Sequence, residues 1–159
     1  MLLEYNPVVS YKQISLEQLF AFLEKVDSTF PIPISRKVDL HTYCEKLYAT
    51  AHMECIVNDD MIESLVAGYI TNTINNMAYI ALVGTLPEAK GRGYATQLLS
   101  RFIASAKEAN LSGVHLYTAY TNHAAIHLYQ KLGFVPYHMK DELRPDDRHF
   151  VYWIKKEQL

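Results

Sequence analysis

The sequence is poor in the features that mark secreted, nucleic-acid-binding and membrane proteins. It has two cysteines, Cys44 and Cys55, which form no Cys-x-x-Cys pair and no disulfide framework, so we expect reduced core thiols. A net charge of −2 lacks the basic excess that binds nucleic acids or anionic membranes. No apolar run approaches the roughly 18 residues of a membrane-spanning helix, and the N-terminus does not look like a signal peptide. We therefore expect a cytoplasmic protein that binds neither nucleic acid nor membrane.

The composition is that of a folded protein with a large core. Half of the 159 residues are hydrophobic and 20% are charged, and twelve tyrosines and six phenylalanines supply large apolar side chains. This length suits one domain, and the sequence contains no linker, internal repeat or low-complexity tract. We expect a single domain over residues 1–159.

Four segments have the apolar spacing of amphipathic helices. Ser15 and Gln18 form a capping box before the first segment, and Asp39 is a candidate N-cap of the second. Gly133 is expected to end the fourth. The predicted helices are Leu16–Leu23, Leu40–Ala51, Ala95–Ala106 and Ala125–Leu132.

Seven segments are typical of strands, and polar turns separate three of them. Asn58–Asp60 predicts a hairpin turn, and Asn72–Asn76 predicts a second one. The order of strands and helices predicts a mixed α/β layer around one core. The predicted strands are Val8–Lys12, Met53–Val57, Glu63–Thr71, Met77–Thr85, Val114–Ala119, Phe134–His138 and Arg148–Lys155.

A glycine-bearing segment, Lys90–Ala95, lies between a strongly apolar strand and the third helix. A helix N-terminus presents unpaired N–H groups and the positive end of the helix dipole, which favours phosphate oxygens. Gly91 and Gly93 would let the backbone approach an anion, while Lys90 and Arg92 add positive charge. The segment fits neither a Rossmann fingerprint nor a P-loop. It predicts a phosphate site, or else only a tight strand-to-helix turn.

Two motifs together resemble the GNAT superfamily of N-acetyltransferases. The first is Lys90–Ala95, which matches the family's Gln/Arg-x-x-Gly-x-Gly/Ala loop except that Lys90 replaces Gln or Arg. The second is Asn-x-x-Ala-x-x-x-Tyr-x-x-x-Gly-Phe, complete from Asn122 to Phe134. The resemblance covers about Ile62 to Phe134 well and the final strands loosely.

The resemblance implies an architecture of the mixed α/β (α+β) class. We expect a GNAT-like fold with a central, mostly antiparallel twisted sheet of about six to seven strands, flanked by about four helices. In this family the strands separate at the coenzyme A site.

The resemblance also implies acetyl-CoA as the cosubstrate and no metal. The pantetheine arm would pair with the backbone near Val83 and Thr85 like an added strand. Asn122 would contact the pantetheine, although an asparagine there is also a plausible helix N-cap. The pyrophosphate would lie on Lys90, Gly91, Arg92, Gly93, Tyr94, Ala95 and Thr96.

The family's catalytic groups can be carried over only in part. Tyr129 matches a tyrosine near the coenzyme sulfur, where a phenol could protonate the departing thiolate, although it could also be a core residue. The Val83 N–H is the expected oxyanion donor. Several relatives use a strand glutamate as general base, but Tyr79 stands at that position here. His115 and Tyr117 are the alternative bases.

The connection between the first two helices commonly forms one wall of the acceptor site in this family. Phe30 and Ile32 could pack on an acceptor there, and Ser35 or Arg36 could bind an anionic part of it. An ordinary helix–helix loop is the alternative. Lys140–Arg148 is a charged link that predicts solvated surface, or else an acceptor mouth or dimer contact.

The predicted function is acetyl transfer from acetyl-CoA to the primary amine of a small molecule, by direct attack in a ternary complex. A protein or peptide acetyltransferase is one alternative. A non-catalytic coenzyme A-binding module is another, because no carboxylate stands at Tyr79. A homodimer is compatible with the resemblance, and the sequence does not identify the acceptor.

Overall fold

The computed structural model describes residues 8–10 and 13–155, which contain seven strands and four α-helices. The order matches the predicted one, and the last two residues of the predicted strand Val8–Lys12 lie outside the described residues. The elements are β1 (Val8–Ser10), α1 (Leu16–Val26), α2 (Leu40–Thr50), β2 (His52–Asn58), β3 (Met61–Ile74), β4 (Met77–Thr85), α3 (Tyr94–Glu108), β5 (Gly113–Thr118), α4 (His123–Leu132), β6 (Val135–Pro136) and β7 (Arg148–Trp153).

Helices α1 and α2 begin, and α4 ends, at the predicted caps. The Ser15 hydroxyl accepts a hydrogen bond from the Gln18 N–H at 3.0 Å, and the Gln18 side chain accepts one from the Ser15 N–H at 2.8 Å. Asp39 caps α2 by accepting from the Thr42 N–H at 2.9 Å. Gly133 ends α4 with φ 107°, in the left-handed region that glycine adopts most readily.

Two polar turns connect the long strands β2, β3 and β4. Asp59 and Asp60 have φ of 51° and 63°, and Asn75 and Asn76 have φ of 58° and 57°. Two successive positive φ values are typical of tight two-residue hairpins, which asparagine and aspartate tolerate. β3 extends to Ile74, so the second turn is shorter than the predicted Asn72–Asn76.

The strands form one sheet in the order β1-β2-β3-β4-β5-β7-β6. In the described part of the chain every neighbouring pair is antiparallel except β4–β5, which confirms the predicted mostly antiparallel sheet. The β4–β5 pairing starts at Met77 and Gly113 and ends at Ile80 and Leu116. β4 continues to Thr85, and beyond Ile80 none of its described residues pairs with β5, so the two strands separate there.

A β-bulge interrupts the pairing of β3 with β4. Ala67 pairs with Leu82, but the next residue, Gly68, pairs with Ile80. Ala81 is therefore an extra residue on β4. A bulge shifts the alternation of side chains by one position, so residues before and after it face opposite sides from those that simple alternation predicts.

The bulge depends on a close approach of the backbone at Gly68. A Cβ on Gly68 would lie 2.3 Å from the Tyr79 carbonyl oxygen and 2.8 Å from Cζ of Phe102. No side chain fits there. As a result, Tyr79 lies on one face of the sheet, whereas Val83 lies on the other.

The helices cover both faces of the sheet. Phe22 of α1 lies 3.4 Å from the Cβ position of Gly84 on one face, which α2 shares, and Phe102 of α3 packs on the opposite face. Tyr129 places α4 on the α3 face, because its ring contacts Phe150 of β7. The sheet is therefore the middle of three layers.

The two cysteines are buried and free, as predicted. Burial raises the pKa of Cys44 to about 11 and that of Cys55 to about 12, so both are protonated and unreactive at neutral pH. Among the described residues no helix is long and apolar enough to cross a membrane. The same residues contain no group of three or more His, Cys, Asp or Glu side chains placed to hold a metal ion.

Candidate active site

A cavity of about 370 Å³ lies where β4 and β5 separate. Its walls are the end of β4, the loop from β4 to α3, the first two turns of α4, and Thr29 and Phe30 after α1. Three segments that are distant in sequence therefore meet at one opening in the sheet.

The predicted cosubstrate-binding residues converge on this cavity, with one exception. Arg92 does not line it, because its guanidinium turns towards β3: Nη1 lies 4.0 Å from Oε1 of Glu63, and Nη2 donates to the Glu88 carbonyl at 3.5 Å. The residues that do line it are Val83, Thr85, Lys90, Gly91, Gly93, Tyr94, Ala95, Thr96 and Asn122.

The loop before α3 has the geometry of an anion site. Gly91 and Gly93 have φ of 83° and 78°, and no atom lies within 4 Å of a Cβ built on either. Gly93 is the N-cap of α3 and has no side chain with which to cap the helix. Lys90 adds a positive charge at the same wall. A helix N-terminus and a cation together favour phosphate oxygens.

β3 holds the free end of β4 in place. The Ser64 hydroxyl donates to the Gly84 carbonyl at 3.1 Å and lies 2.8 Å from the Thr85 hydroxyl. These bonds fix β4 from the side away from the opening. Sequence reasoning missed Ser64 because its role depends on strand register, which no local pattern indicated.

Several cavity-lining residues were not predicted. Thr29, Gly84 and Leu128 reach the cavity only because three segments fold together, and nothing in their own local sequence marks them. Gly84 is a partial exception, since a glycine inside an apolar strand indicates a close approach. A Cβ there would lie 3.6 Å from Cζ of Phe30, which is another lining residue.

Tyr129 presents a protonated phenol to the cavity. It is 5% exposed, and its ring packs against Phe134 and Phe150 at centroid distances of 5.7 and 6.4 Å. Burial raises its pKa far above the ordinary tyrosine value. Its hydroxyl forms no hydrogen bond with any other described residue. It therefore combines a core position with a hydroxyl that is available to a ligand.

Tyr79 and His115, the candidate bases, do not line the cavity but lie just beyond it, on the sheet face that α1 and α2 cover. They are paired residues of β4 and β5, one position before the strands separate, and their rings are 5.0 Å apart. Burial is the main cause that lowers the pKa of His115 to about 4, and the neighbouring His149 lowers it as well. Glu142 acts in the opposite direction. His115 is thus neutral at pH 7 and has one ring nitrogen without a proton.

The link between β6 and β7, which was predicted to be solvated surface, reaches this face. The Glu142 carboxylate lies 2.8 Å from Nδ1 of His149, and Arg144 approaches Tyr79 and Tyr117. The Glu142 side chain is 20% exposed and that of Arg144 is 38% exposed, so both keep contact with solvent, and the alternative of an acceptor mouth stays a prediction. A run of charged residues usually indicates solvent, and the partners of these side chains on β4 and β5 are distant in sequence.

Of the predicted acceptor-site residues, Phe30 lines the cavity and the others do not. Ile32 is 53% exposed. The N–H and hydroxyl of Ser35 both donate to the Asp27 carboxylate, so Ser35 stabilises the loop between α1 and α2. Arg36 is exposed in a single helical turn of that loop. These three residues remain predictions.

The model of the acetyltransferase (GNAT) family matches residues 19–134, which is most of the chain. The chain belongs to this family. The GNAT fold accounts for the parallel β4–β5 joint, the strand separation and the loop before α3 within one architecture. The predicted resemblance is therefore confirmed.

Two curated relatives match a short part of the chain. It is 42% identical over 60 residues to mycothiol acetyltransferase from Nocardia farcinica, which is 38% of this chain and 20% of the relative. It is 43% identical over 56 residues to mycothiol acetyltransferase from Paenarthrobacter aurescens, which is 35% of this chain and 17% of the relative. The chain thus spans about a fifth of the length of these relatives.

Solved structures of GNAT proteins share the whole fold. A GNAT acetyltransferase from Staphylococcus aureus has a TM-score of 0.76 at 18% identity and covers 95% of this chain and 100% of its own. The PaiA N-acetyltransferase of Thermoplasma acidophilum, solved with coenzyme A, has a TM-score of 0.69 at 13% identity and covers 92% and 99%. Arabidopsis thaliana NAA60, solved with a bisubstrate analogue, has a TM-score of 0.69 at 16% identity and covers 92% and 98%.

Proposed function

We propose that the protein transfers an acetyl group from acetyl-CoA to the primary amine of a small molecule, by direct attack in a ternary complex. The observation that carries the proposal is one cavity that joins a helix N-terminus without a side-chain cap, a strand end that is open on the β5 side and a protonated phenol. These features suit the phosphates, the pantetheine amides and the leaving thiolate of a coenzyme A thioester. The curated relatives, mycothiol acetyltransferases, support a small-molecule acceptor.

Acetyl-CoA would lie across the cavity with its pyrophosphate on the loop Lys90–Thr96, where N–H groups and a lysine meet it. Its pantetheine amides would pair with the free end of β4 at Val83 and Thr85, in the place that β5 leaves open. Asn122 accepts from the Ala125 N–H at 3.2 Å through its amide oxygen. Its amide NH₂ group would then bind the pantetheine, so the capping and binding roles are compatible.

The acceptor nitrogen would attack the thioester carbonyl through the gap between the strands. The N–H of Val83 would donate to the developing oxyanion. As the C–N bond forms and the C–S bond breaks, Tyr129 would protonate the leaving thiolate. His115, beside Tyr79, would take the proton that the nitrogen loses.

The first test measures thiol release from acetyl-CoA with a panel of primary alkyl amines, amino acids, glucosamine and peptides. We predict that Tyr129→Phe lowers kcat by on the order of 10²-fold or more, because the thiolate loses its proton donor, and leaves KM for acetyl-CoA nearly unchanged. Tyr152→Phe is the matched control. It also removes one tyrosine hydroxyl, but the Tyr152 ring packs on Phe134 and does not line the cavity.

Three results would contradict parts of the proposal. Equal kcat for the two tyrosine variants would exclude the acid role of Tyr129. Release with peptides alone would favour protein or peptide acetylation. Binding of acetyl-CoA without turnover of any acceptor would favour a coenzyme A-binding module.

A further inference from the structure

A chain of three hydrogen-bonded side chains leads to His115 from the link between β6 and β7. Oε1 of Glu142 lies 2.8 Å from Nδ1 of His149, and Nε2 of His149 lies 2.8 Å from Nδ1 of His115. The two histidines are 6% and 2% exposed. Such a chain of buried polar groups is costly unless every member is satisfied, so its order is informative.

Glu142 is fixed and ionised at one end of this chain. It accepts a hydrogen bond from the Met139 N–H and contacts His149 with both carboxylate oxygens. Burial works against ionisation, but the bonds from Met139 and His149 hold the pKa of Glu142 below its ordinary value. The carboxylate therefore only accepts hydrogen bonds.

The ionised carboxylate determines where the protons of both histidines lie. Nδ1 of His149 must donate to Glu142. Burial lowers the pKa of His149 and His115, so both rings are neutral at pH 7 and each carries one N–H. Nε2 of His149 is then an acceptor, and Nδ1 of His115 must donate to it. The lone pair of His115 is consequently on Nε2.

Nε2 of His115 is the open end of the chain. No described residue forms a hydrogen bond with it. The ring lies beside Tyr79, in the pair before the last one that joins β4 to β5, and the first cavity-lining residue of β4, Val83, lies three residues beyond Ile80. The other groups that face this ring are Tyr117 on β5 and His149 on β7, with Glu142 behind.

Tyr117 packs against this chain of Glu142, His149 and His115, which we call the relay. Its ring stacks on His149 with centroids 4.1 Å apart and planes 19° apart. Its hydroxyl accepts a hydrogen bond from the Leu143 N–H at 3.0 Å, which ties the link to β5 next to Glu142. Tyr117, an alternative base in the sequence, therefore supports the relay.

We propose that Glu142 and His149 are positioning residues that hold His115 as the general base of acetyl transfer, with its Nε2 lone pair towards the acceptor amine. This proposal rests on the proposed function. As the acceptor nitrogen forms its bond to the acetyl carbon, its proton moves to Nε2 of His115. The C–S bond breaks, and the thiolate takes its proton from Tyr129. Glu142 stabilises the imidazolium through His149 until solvent removes the proton.

The test uses Glu142→Gln, which keeps the size of the side chain and an oxygen that can accept from His149. Glu54→Gln is the matched control, because Glu54 lies 2.7 Å from Nε2 of His52 in the same sheet, on the face that α3 covers. Both variants remove a carboxylate from a His–Glu pair. Only Glu142 lies behind the candidate base.

The first readout is the tautomer of His115, from ¹⁵N NMR of the free protein at pH 7. We expect wild type and Glu54→Gln to carry the proton on Nδ1, and Glu142→Gln to show a mixture of tautomers. A His115 proton on Nε2 in wild type would overturn the relay, whether or not the protein transfers acetyl groups.

The second readout is kinetics with an amine from the panel that wild type acetylates. Glu142→Gln should lower kcat on the order of 10-fold to 100-fold, which is part of the contribution of a positioned base, and leave KM for acetyl-CoA unchanged. Glu54→Gln should keep the wild-type kcat. Equal kcat in the two variants would overturn the relay while leaving the proposed function intact. No turnover by wild type would instead contradict the proposed function.

Discussion

Burial keeps two side chains near the gap in the sheet, Tyr129 and His115, uncharged at neutral pH, and the consequence for proton transfer is opposite in the two. Burial disfavours charge, so Tyr129 keeps its proton and His115 stays without a second one. One residue is thus a donor and the other an acceptor at neutral pH. They lie on opposite faces of the sheet, on either side of the opening where β4 and β5 part.

Gly93 allows a residue-scale prediction about the anion loop. Its φ of 78° is unfavourable for alanine, so Gly93→Ala should destabilise the fold by about 1–2 kcal/mol. Its Cβ would also enter the open space beside the helix N-terminus, which should raise the Kd for acetyl-CoA. Calorimetric titration and urea unfolding would measure the two effects.

Gly93→Asn separates backbone strain from ligand contact. Asparagine tolerates positive φ better than alanine does, so this variant should recover stability but still bind acetyl-CoA weakly. Wild-type affinity in both variants would show that the phosphate lies elsewhere.

At the scale of elements, capping and hydrophobic period predicted the helices well, because both signals are local. The capping box Ser15–Gln18 and the stop at Gly133 needed no tertiary information. The bulge at Ala81 could not be predicted in this way, since it depends on Phe102 and the β4 backbone meeting at Gly68. The bulge, rather than alternation, determines which face Tyr79 occupies.

A buried acidic side chain joins α3 to the sheet and predicts a loss of stability in acid. Glu54 is 6% exposed and bonds to His52 at 2.7 Å and Arg101 at 3.1 Å. Burial raises its pKa, but these bonds outweigh burial and lower it overall. A carboxyl with a lowered folded-state pKa stabilises the fold above its unfolded-state pKa. This contribution is lost as the pH falls through the folded-state pKa.

The measurement is urea unfolding at pH 7 and at a pH below the lowered folded-state pKa of Glu54. Glu54→Gln should cost about 1–3 kcal/mol at pH 7, because its partners lose a charged acceptor. The difference from wild type should shrink in acid, where Glu54 is protonated in both states. A difference that does not depend on pH would show that Glu54 contributes only by packing.

At the scale of the whole molecule, the sheet consists of two parts. β1–β4 and β5–β7 meet only through the short parallel pairing from Met77 to Ile80, as far as the described residues show. The two sequence motifs predicted the loop before α3, which follows β4, and helix α4, which follows β5. They could not predict the relay through Glu142, because its members come from three segments whose neighbours in space are distant in sequence.

Acetyl-CoA should stabilise the whole molecule by bridging the two parts of the sheet. A ligand that binds only the folded state at 100 times its Kd contributes about 2.7 kcal/mol, so Tm should rise by several degrees. Differential scanning calorimetry would measure the rise, and Gly93→Ala should reduce it at the same ligand concentration. An unchanged Tm in wild type would exclude tight binding of acetyl-CoA.

The parallel joint also has a mechanical consequence. A ladder of four paired positions resists shear along the strands less than the longer antiparallel ladders on either side of it. Under a stretching force the sheet is expected to open first along this seam. An extended ligand bound in the gap would contact both parts of the sheet. The force needed to separate the two parts would therefore depend on whether the ligand is bound.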